Sequence, residues 1–209
     1  LLLGKIYDQI GFGSITTDLF RHLVITRLVY PVSKLKTVDY LYKYRGIKTS
    51  VWSIYRYLDK LDDSKIEEIK KVSTKQTLSI LGDQLAIVFY DVTTLYFESN
   101  EEDDLRKTGF NKDGKHQNPQ IVLGLLVSEN GYPLDYRIFE GSQYEGDTLQ
   151  TVIKQFEKQY NPDQLVVVAD AGMLSQKNQS FLQGDKYSFI LGARIKNESS
   201  NVKDQILKL

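Results

Sequence analysis

Leu85-Ala86-Ile87-Val88-Phe89-Tyr90-Asp91-Val92-Thr93-Thr94 is an apolar run that arrives at a carboxylate. A second stretch has the same form: Leu165-Val166-Val167-Val168-Ala169-Asp170-Ala171-Gly172-Met173-Leu174-Ser175. Short continuous apolar runs of this kind read as buried strands. A carboxylate at the end of a buried strand is costly unless it is paired, hydrogen-bonded or bound to a metal. Asp91 and Asp170 lie 79 positions apart. Either each is an ordinary strand-end or helix-capping residue, or the two meet at the ends of neighbouring strands. In the second case they could hold divalent cations roughly 3.5–4 Å apart for phosphoryl transfer.

Composition narrows the chemistry. The chain has 209 residues, 41% of them hydrophobic, enough for a real core in one or two domains. No run approaches the roughly 20 apolar residues of a membrane span, so no membrane association is expected. No signal peptide is visible, although the sequence starts at Leu1 rather than Met, which leaves targeting open. With no cysteine, disulfides, thiolate metal sites and cysteine nucleophiles are excluded. Two histidines, His22 and His116, argue against a histidine-rich zinc site. Any metal would be held by carboxylates, which favours Mg²⁺ or Mn²⁺.

The net charge of zero hides an asymmetry. Residues 1–60 carry ten basic side chains and four acidic ones, a surplus of six that the rest of the chain balances. A basic segment ahead of an acidic site fits a nucleic-acid enzyme; solvated helix faces would give the same count.

Residues 1–80 read as helical. Thr17-Asp18 caps a helix that ends before Pro31, and Ser33 caps a second that ends at Gly46. Ser50 caps a third, carrying Val51, Ile54, Tyr55 and Leu58, and Ser64 opens a fourth, charged helix. Two short helices joined by a glycine-containing turn resemble a helix-turn-helix, with Trp52, Tyr55 and Arg56 on or near the DNA-facing helix. The alternative is a plain helical bundle whose Trp and Tyr side chains are core.

From about residue 84 the pattern changes. Strands are expected at 85–92, 121–127 and 132–139, with Glu129-Asn130-Gly131 as the hairpin turn between the last two. A helix follows from Asp147 or Thr148, with Leu149, Val152, Ile153 and Phe156 on one face, and Asn161-Pro162 stops it. Then come a strand at 165–169, a helix from Ser175 to Leu182, a strand at 187–193, and a polar stretch at 196–209. Three antiparallel strands followed by helix-connected strands make an α/β, mixed five-stranded sheet with flanking helices. That is the ribonuclease-H-like order. The expected organisation is an all-helical, DNA-binding region over 1–80 and a ribonuclease-H-like core over 84–209. In this order the first and fourth strands are neighbours, and Asp91 and Asp170 converge.

The residues also resemble a family. Tyr90-Asp91-Val92-Thr93-Thr94 resembles the first-aspartate motif of bacterial insertion-sequence DDE transposases. Gly109-Phe110-Asn111-Lys112-Asp113-Gly114-Lys115 with Pro119-Gln120-Ile121 is similar to their loop before the second strand. Gly131-Tyr132-Pro133-Leu134 and Phe139-Glu140-Gly141, with Glu145 and Thr148, match the stretch that follows. Ala169-Asp170-Ala171-Gly172-Met173-Leu174-Ser175 resembles the second-aspartate motif. Arg27-Leu28-Val29-Tyr30-Pro31-Val32-Ser33-Lys34 and Ile54-Tyr55-Arg56-Tyr57-Leu58-Asp59 are similar to the family's N-terminal region. The resemblance implies a DNA transposase that cuts and joins transposon-end DNA at a site where Asp91 and Asp170 hold two Mg²⁺ (or Mn²⁺) ions. It implies terminal-repeat and target DNA as partners, a homodimer on DNA, and a cytoplasmic, nucleoid-associated bacterial protein. The family's third acid is a Glu on a late helix in a Tyr-Arg-Glu-Lys-type signature. Only Glu198 and Asp204 follow Ala193, and neither lies in that signature. The expectation is therefore a truncated chain, inactive by itself.

Lys112, Lys115 and His116 in a basic loop, Arg194 and Lys196 after the fifth strand, and Arg56 are the candidate DNA contacts. Solvated surface roles fit them as well. Gln120 is expected to border the active site, by resemblance, and His22 to be structural. The acidic run from Glu98 to Asp104 lacks Ca²⁺-loop spacing and reads as a solvated loop. Two rival functions remain. A ribonuclease-H-like nuclease or resolvase would need a third carboxylate, with Glu98 and Glu140 as candidates. A non-catalytic, transposase-derived DNA-binding protein would need none.

Overall fold

The computed structural model describes residues 2–82, 87–110, 114, 116–162, 165–184, 187–193 and 199–206. They form two compact units, 1–80 and 81–209.

The first unit is helical: α1 (Leu2–Ile10), α2 (Asp18–Val29), α3 (Lys34–Arg45), α4 (Val51–Leu58) and α5 (Asp63–Ile80). Its boundaries follow local chemistry. The hydroxyls of Thr17, Ser33 and Ser50 accept from the backbone amides of Phe20, Lys36 and Ser53, which satisfies first-turn donors that have no helical partner. Gly46 closes α3 in the left-handed conformation, φ 65°, which a Cβ would strain. α5 starts one residue before the expected Ser64. The Asp62 carboxylate, rather than that hydroxyl, takes the first-turn amide of Lys65 at 2.8 Å. Tyr7, Leu41 and Ile54 are the buried apolar side chains of this unit.

The second unit is built on a five-stranded sheet: β1 (Ile87–Tyr96), β2 (Gln120–Ser128), β3 (Pro133–Glu140), β4 (Leu165–Ala169) and β5 (Tyr187–Leu191). The spatial order is β3-β2-β1-β4-β5, with β1–β2 and β2–β3 antiparallel and β1–β4 and β4–β5 parallel. This is the expected ribonuclease-H-like order. The hairpin turns at Gly131, φ 80°, where Gly131 N–H donates to the Ser128 carbonyl. α6 (Thr148–Tyr160) crosses from β3 to β4 and α7 (Gln176–Gly184) from β4 to β5. α6 stops at Asn161, φ 42°, just before Pro162. Two expectations are corrected. The fifth strand ends at Leu191 rather than Ala193, and the polar stretch near the end contains a helix, α8 (Ser200–Ile206), capped by Ser199. The sequence of α8 is too polar and too short for periodicity to mark it.

One face of the sheet is covered. Val88, Tyr90, Val92, Val122, Leu126 and Val167 pack against Leu149, Val152, Ile153 and Phe156 of α6. Burying each of these α6 side chains contributes about 1.5–3 kcal/mol. Tyr90 ties the two layers together. Its hydroxyl donates to Thr148 Oγ1 at 2.7 Å, and Thr148 Oγ1 donates to the Glu145 carbonyl at 2.6 Å. The ring has room because position 124 carries no side chain: a Cβ on Gly124 would lie 2.4 Å from the Tyr90 hydroxyl.

Burial pushes the Tyr90 hydroxyl up to about 12 from 10.0; the Thr148 bond works against this, and the charges of Asp91 and Glu145 add to it. The folded state thus disfavours the phenolate. The stabilisation is full below pH 10 and is lost as pH rises through 12. Stability from urea unfolding, compared between wild type and Tyr90→Phe, is expected to converge by roughly 3 kcal/mol across that window. Parallel profiles for the two proteins would contradict this assignment.

Candidate active site

The pairing of β1 with β4 places the two aspartates. Tyr90 is in register with Ala169, the last pair of the parallel ladder. Asp91 and Asp170 are each the next residue. Asp170 remains extended, φ −74° and ψ 174°, so the register carries through to it. Adjacent strands lie about 4.8 Å apart, and neighbours in parallel register project to the same face. Tyr90 and Ala169 point into the core, so both carboxylates stand on the opposite, exposed face. Leu125 pairs with Asp91 from the other side.

Asp170 is also a cap. Its Oδ1 accepts from Gly172 N–H at 2.8 Å and opens a single 3-10 turn, Ala171–Met173. The capping role foreseen as an alternative therefore coexists with the convergence, because the other carboxylate oxygen is not used by this bond. Gly192 backs the turn closely. Its N–H donates to the Ala169 carbonyl, and a Cβ there would lie 2.7 Å from the Ala171 nitrogen. Asn178, fully buried on α7, braces the same turn: its Nδ2 donates to the Met173 carbonyl at 2.9 Å and the Gly146 carbonyl at 2.7 Å. Sequence reading did not single out Asn178 or Tyr90. A Tyr facing a Gly on the next strand is the one signal that could have flagged Tyr90.

A family model described as "Transposase DDE domain" matches residues 83–207. The chain belongs to the DDE transposase family. Among solved structures, this transposase is similar to a Mos1 transposase paired-end complex with left transposon end. The identity is 10%, covering 92% of this chain and 70% of that one, with a TM-score of 0.36. It is also similar to a piggyBac transposase synaptic complex with hairpin DNA, at 15% identity over 86% of this chain and 43% of that one, with a TM-score of 0.46. A Mos1 mariner paired-end complex with Mn matches at 11% identity over 93% of this chain and 70% of that one, with a TM-score of 0.34. No curated protein matches. At these levels the fold rests on the strand order, and the family on the matched domain.

The remaining candidates fall in different places. Arg56 is exposed on α4 beside Trp52, which is 72% exposed, and Tyr55. Neither aromatic side chain belongs to the core, which sets aside the bundle reading of those two. His116 is exposed, its ring 5.7 Å from that of Phe110. Lys112, Lys115, Arg194, Lys196 and Glu198 lie outside the described residues. His22 is half-buried in α2; burial, then the charge of Arg45, lowers its basicity. Glu98 and Glu140 are exposed, and Glu140 accepts from Ser142 Oγ. Asp204 is an exposed residue of α8 rather than part of an irregular tail. Among the described residues no three acidic or histidine side chains are grouped to hold a metal ion.

The acidic loop has a structural use. Glu102 Oε1 accepts from Thr108 N–H, and Asp103 accepts from the Arg106 amide and guanidinium and the Leu105 amide. These bonds, the Arg106 amide first, hold the Asp103 carboxyl down at about 2. Gln120 is the clear departure from expectation. It is 1% exposed, and its Nε2 donates to the Phe110 carbonyl at 3.0 Å and the Gly141 carbonyl at 2.8 Å. It faces the loop junction where Gly109 and Gly141 approach too closely for any Cβ, not the carboxylate pair. Gln120→Leu is expected to lower unfolding free energy by about 1–3 kcal/mol, because the buried Gly141 carbonyl and the part-buried Phe110 carbonyl lose their donor. Mn²⁺ binding by the folded variant should be unchanged; a selective loss of metal binding at full stability would return Gln120 to the active site.

Proposed function

We propose that this protein acts on DNA through Asp91 and Asp170 as the metal-holding carboxylates of a two-metal phosphoryl transferase, cutting and joining transposon-end DNA. The supporting observation is their position: adjacent register places on neighbouring parallel strands, on one exposed face, 79 residues apart in sequence. Two carboxylates with, among the described residues, no imidazole grouped with them, in a chain without cysteine, suit a hard cation such as Mg²⁺ or Mn²⁺. When bound, such ions supply Lewis-acid activation of an attacking water or DNA 3′-hydroxyl and charge stabilisation at the leaving oxygen.

The chain's own residues supply position. The Gly172 amide fixes one oxygen of Asp170, and the Tyr90–Thr148 bond fixes the strand beneath Asp91. Arg56, Lys112, Lys115, His116, Arg194 and Lys196 are the proposed contacts to DNA phosphates, which set register and orientation rather than sequence choice. A homodimer on paired DNA ends completes the reading, with the protein at work in the cytoplasm on nucleoid DNA. Among the described residues no helix is long and apolar enough to cross a membrane.

With two carboxylates grouped and no third beside them among the described residues, residues 1–209 alone should bind Mg²⁺ weakly and cleave poorly. The same observation favours, as a second reading, a transposase-derived protein that binds DNA without cutting it. Mn²⁺ binding followed by electron paramagnetic resonance separates the two. Asp91→Asn and Asp170→Asn should each reduce Mn²⁺ affinity at least about tenfold, a loss of some 1.4 kcal/mol, while binding to transposon-end duplex persists. Equal Mn²⁺ affinity in wild type and both variants would favour the second reading. Efficient Mg²⁺-dependent cleavage by residues 1–209 would overturn the two-carboxylate limitation.

A further inference from the structure

The first unit carries an aromatic and basic cleft that the carboxylate site does not use. Tyr30, the residue closing α2, stacks on Tyr40 of α3, with ring centroids 5.4 Å apart and planes 25° apart. Tyr40 in turn meets Tyr44 one helical turn later at 4.9 Å. The three rings form a ladder with Tyr40 in the middle, and its two ends are open to solvent: Tyr30 is 46% exposed and Tyr44 63%. Lys36, Asp39 and Lys43 complete the lining of a cleft of about 430 Å³. Lys43 Nζ lies 5.5 Å from the Tyr44 centroid. A cleft of that size is within the range that holds small ligands.

A core reading does not account for the outer two rings, because Tyr30 exposes nearly half and Tyr44 well over half of what a free Tyr exposes. Exposed aromatic side chains beside lysines match the chemistry of unpaired nucleic-acid strands, where bases stack on rings and phosphates meet cations. Duplex DNA offers no such fit. Its bases are already stacked on both faces and show only their edges in the grooves. Asp39 opposes phosphate but can accept from an exocyclic amine of a base.

We propose that the Tyr30–Tyr40–Tyr44 ladder, with Lys36 and Lys43, binds unpaired DNA bases, such as those freed at a nicked or opened DNA end. This rests on the reading that the protein handles DNA, and adds that it holds a single strand in its helical unit. Tyr30 and Tyr44 supply stacking faces, Lys36 and Lys43 meet the backbone, and Asp39 selects bases that carry an amino group.

The test is fluorescence anisotropy of residues 1–209 with a labelled single-stranded oligonucleotide and, separately, with a duplex of the same sequence. Tyr30→Ala/Tyr44→Ala should weaken single-strand binding about tenfold or more and leave duplex binding within about twofold. Tyr30→Phe/Tyr44→Phe should bind as wild type, because stacking does not use the hydroxyl. Lys36→Ala/Lys43→Ala should reduce the salt slope of single-strand binding by about 1.4. Tyr44→Ala alone, at the most exposed ring, serves if the double variant does not fold. The proposal is overturned if wild type binds no single strand, if the tyrosine variants bind it as wild type does, or if duplex binding falls equally. Asp91→Asn/Asp170→Asn should leave single-strand binding intact, so failure of the metal-site reading and failure of this one give different results.

Discussion

The parallel pairing of β1 with β4 is the constraint on which the arrangement depends. It brings together residues that the chain separates by two strands, a hairpin and a crossover helix. Parallel neighbours need such a crossover, because a tight turn cannot reverse the chain twice. α6 supplies it and at the same time covers the inner face of the sheet. One element therefore closes the core and sets the spacing between Asp91 and Asp170.

The register would be worth little without something to hold it. A slip by one residue would carry Asp91 to the core face and Tyr90 to solvent. Two features oppose the slip. The Tyr90 hydroxyl donates to Thr148, and its ring lies where a Cβ on Gly124 would clash with it. At the other end Gly192 and Asn178 clamp the turn after Asp170 by backbone approach and by two hydrogen bonds. The inner face thus specifies what the outer face displays.

Much of this was legible in the sequence because strand periodicity and turn chemistry are local. The apolar runs, the Asn130-Gly131 hairpin, the Asn161-Pro162 stop and the serine caps each declare themselves within a few residues. That Asp91 and Asp170 end neighbouring strands was legible from strand order. What escaped depends on distant partners. Gln120 looks like a strand-entry residue near a site until its amide is seen bonding the Phe110 and Gly141 carbonyls. Ser64 and Asp62 are both good caps, and only geometry chooses between them. α8 is too short and too polar for periodicity to mark it. Trp52 sits at a helical position that burial or exposure would fit equally, and composition cannot say that it faces water.

The outer face poses the remaining physical question. Phe89, Leu125, Ile138 and Ile190 lie on the same side of the sheet as the two carboxylates, and all are exposed, Ile190 by 63%. Two like charges on adjacent strands repel one another. The Gly172 amide offsets a part of that repulsion at Asp170 alone. A pair of this kind is least costly when a positive charge stands between its members. The same repulsion makes the covered inner face necessary, because the hydrogen bonds and packing there must hold the two strands together against the charges they carry outside.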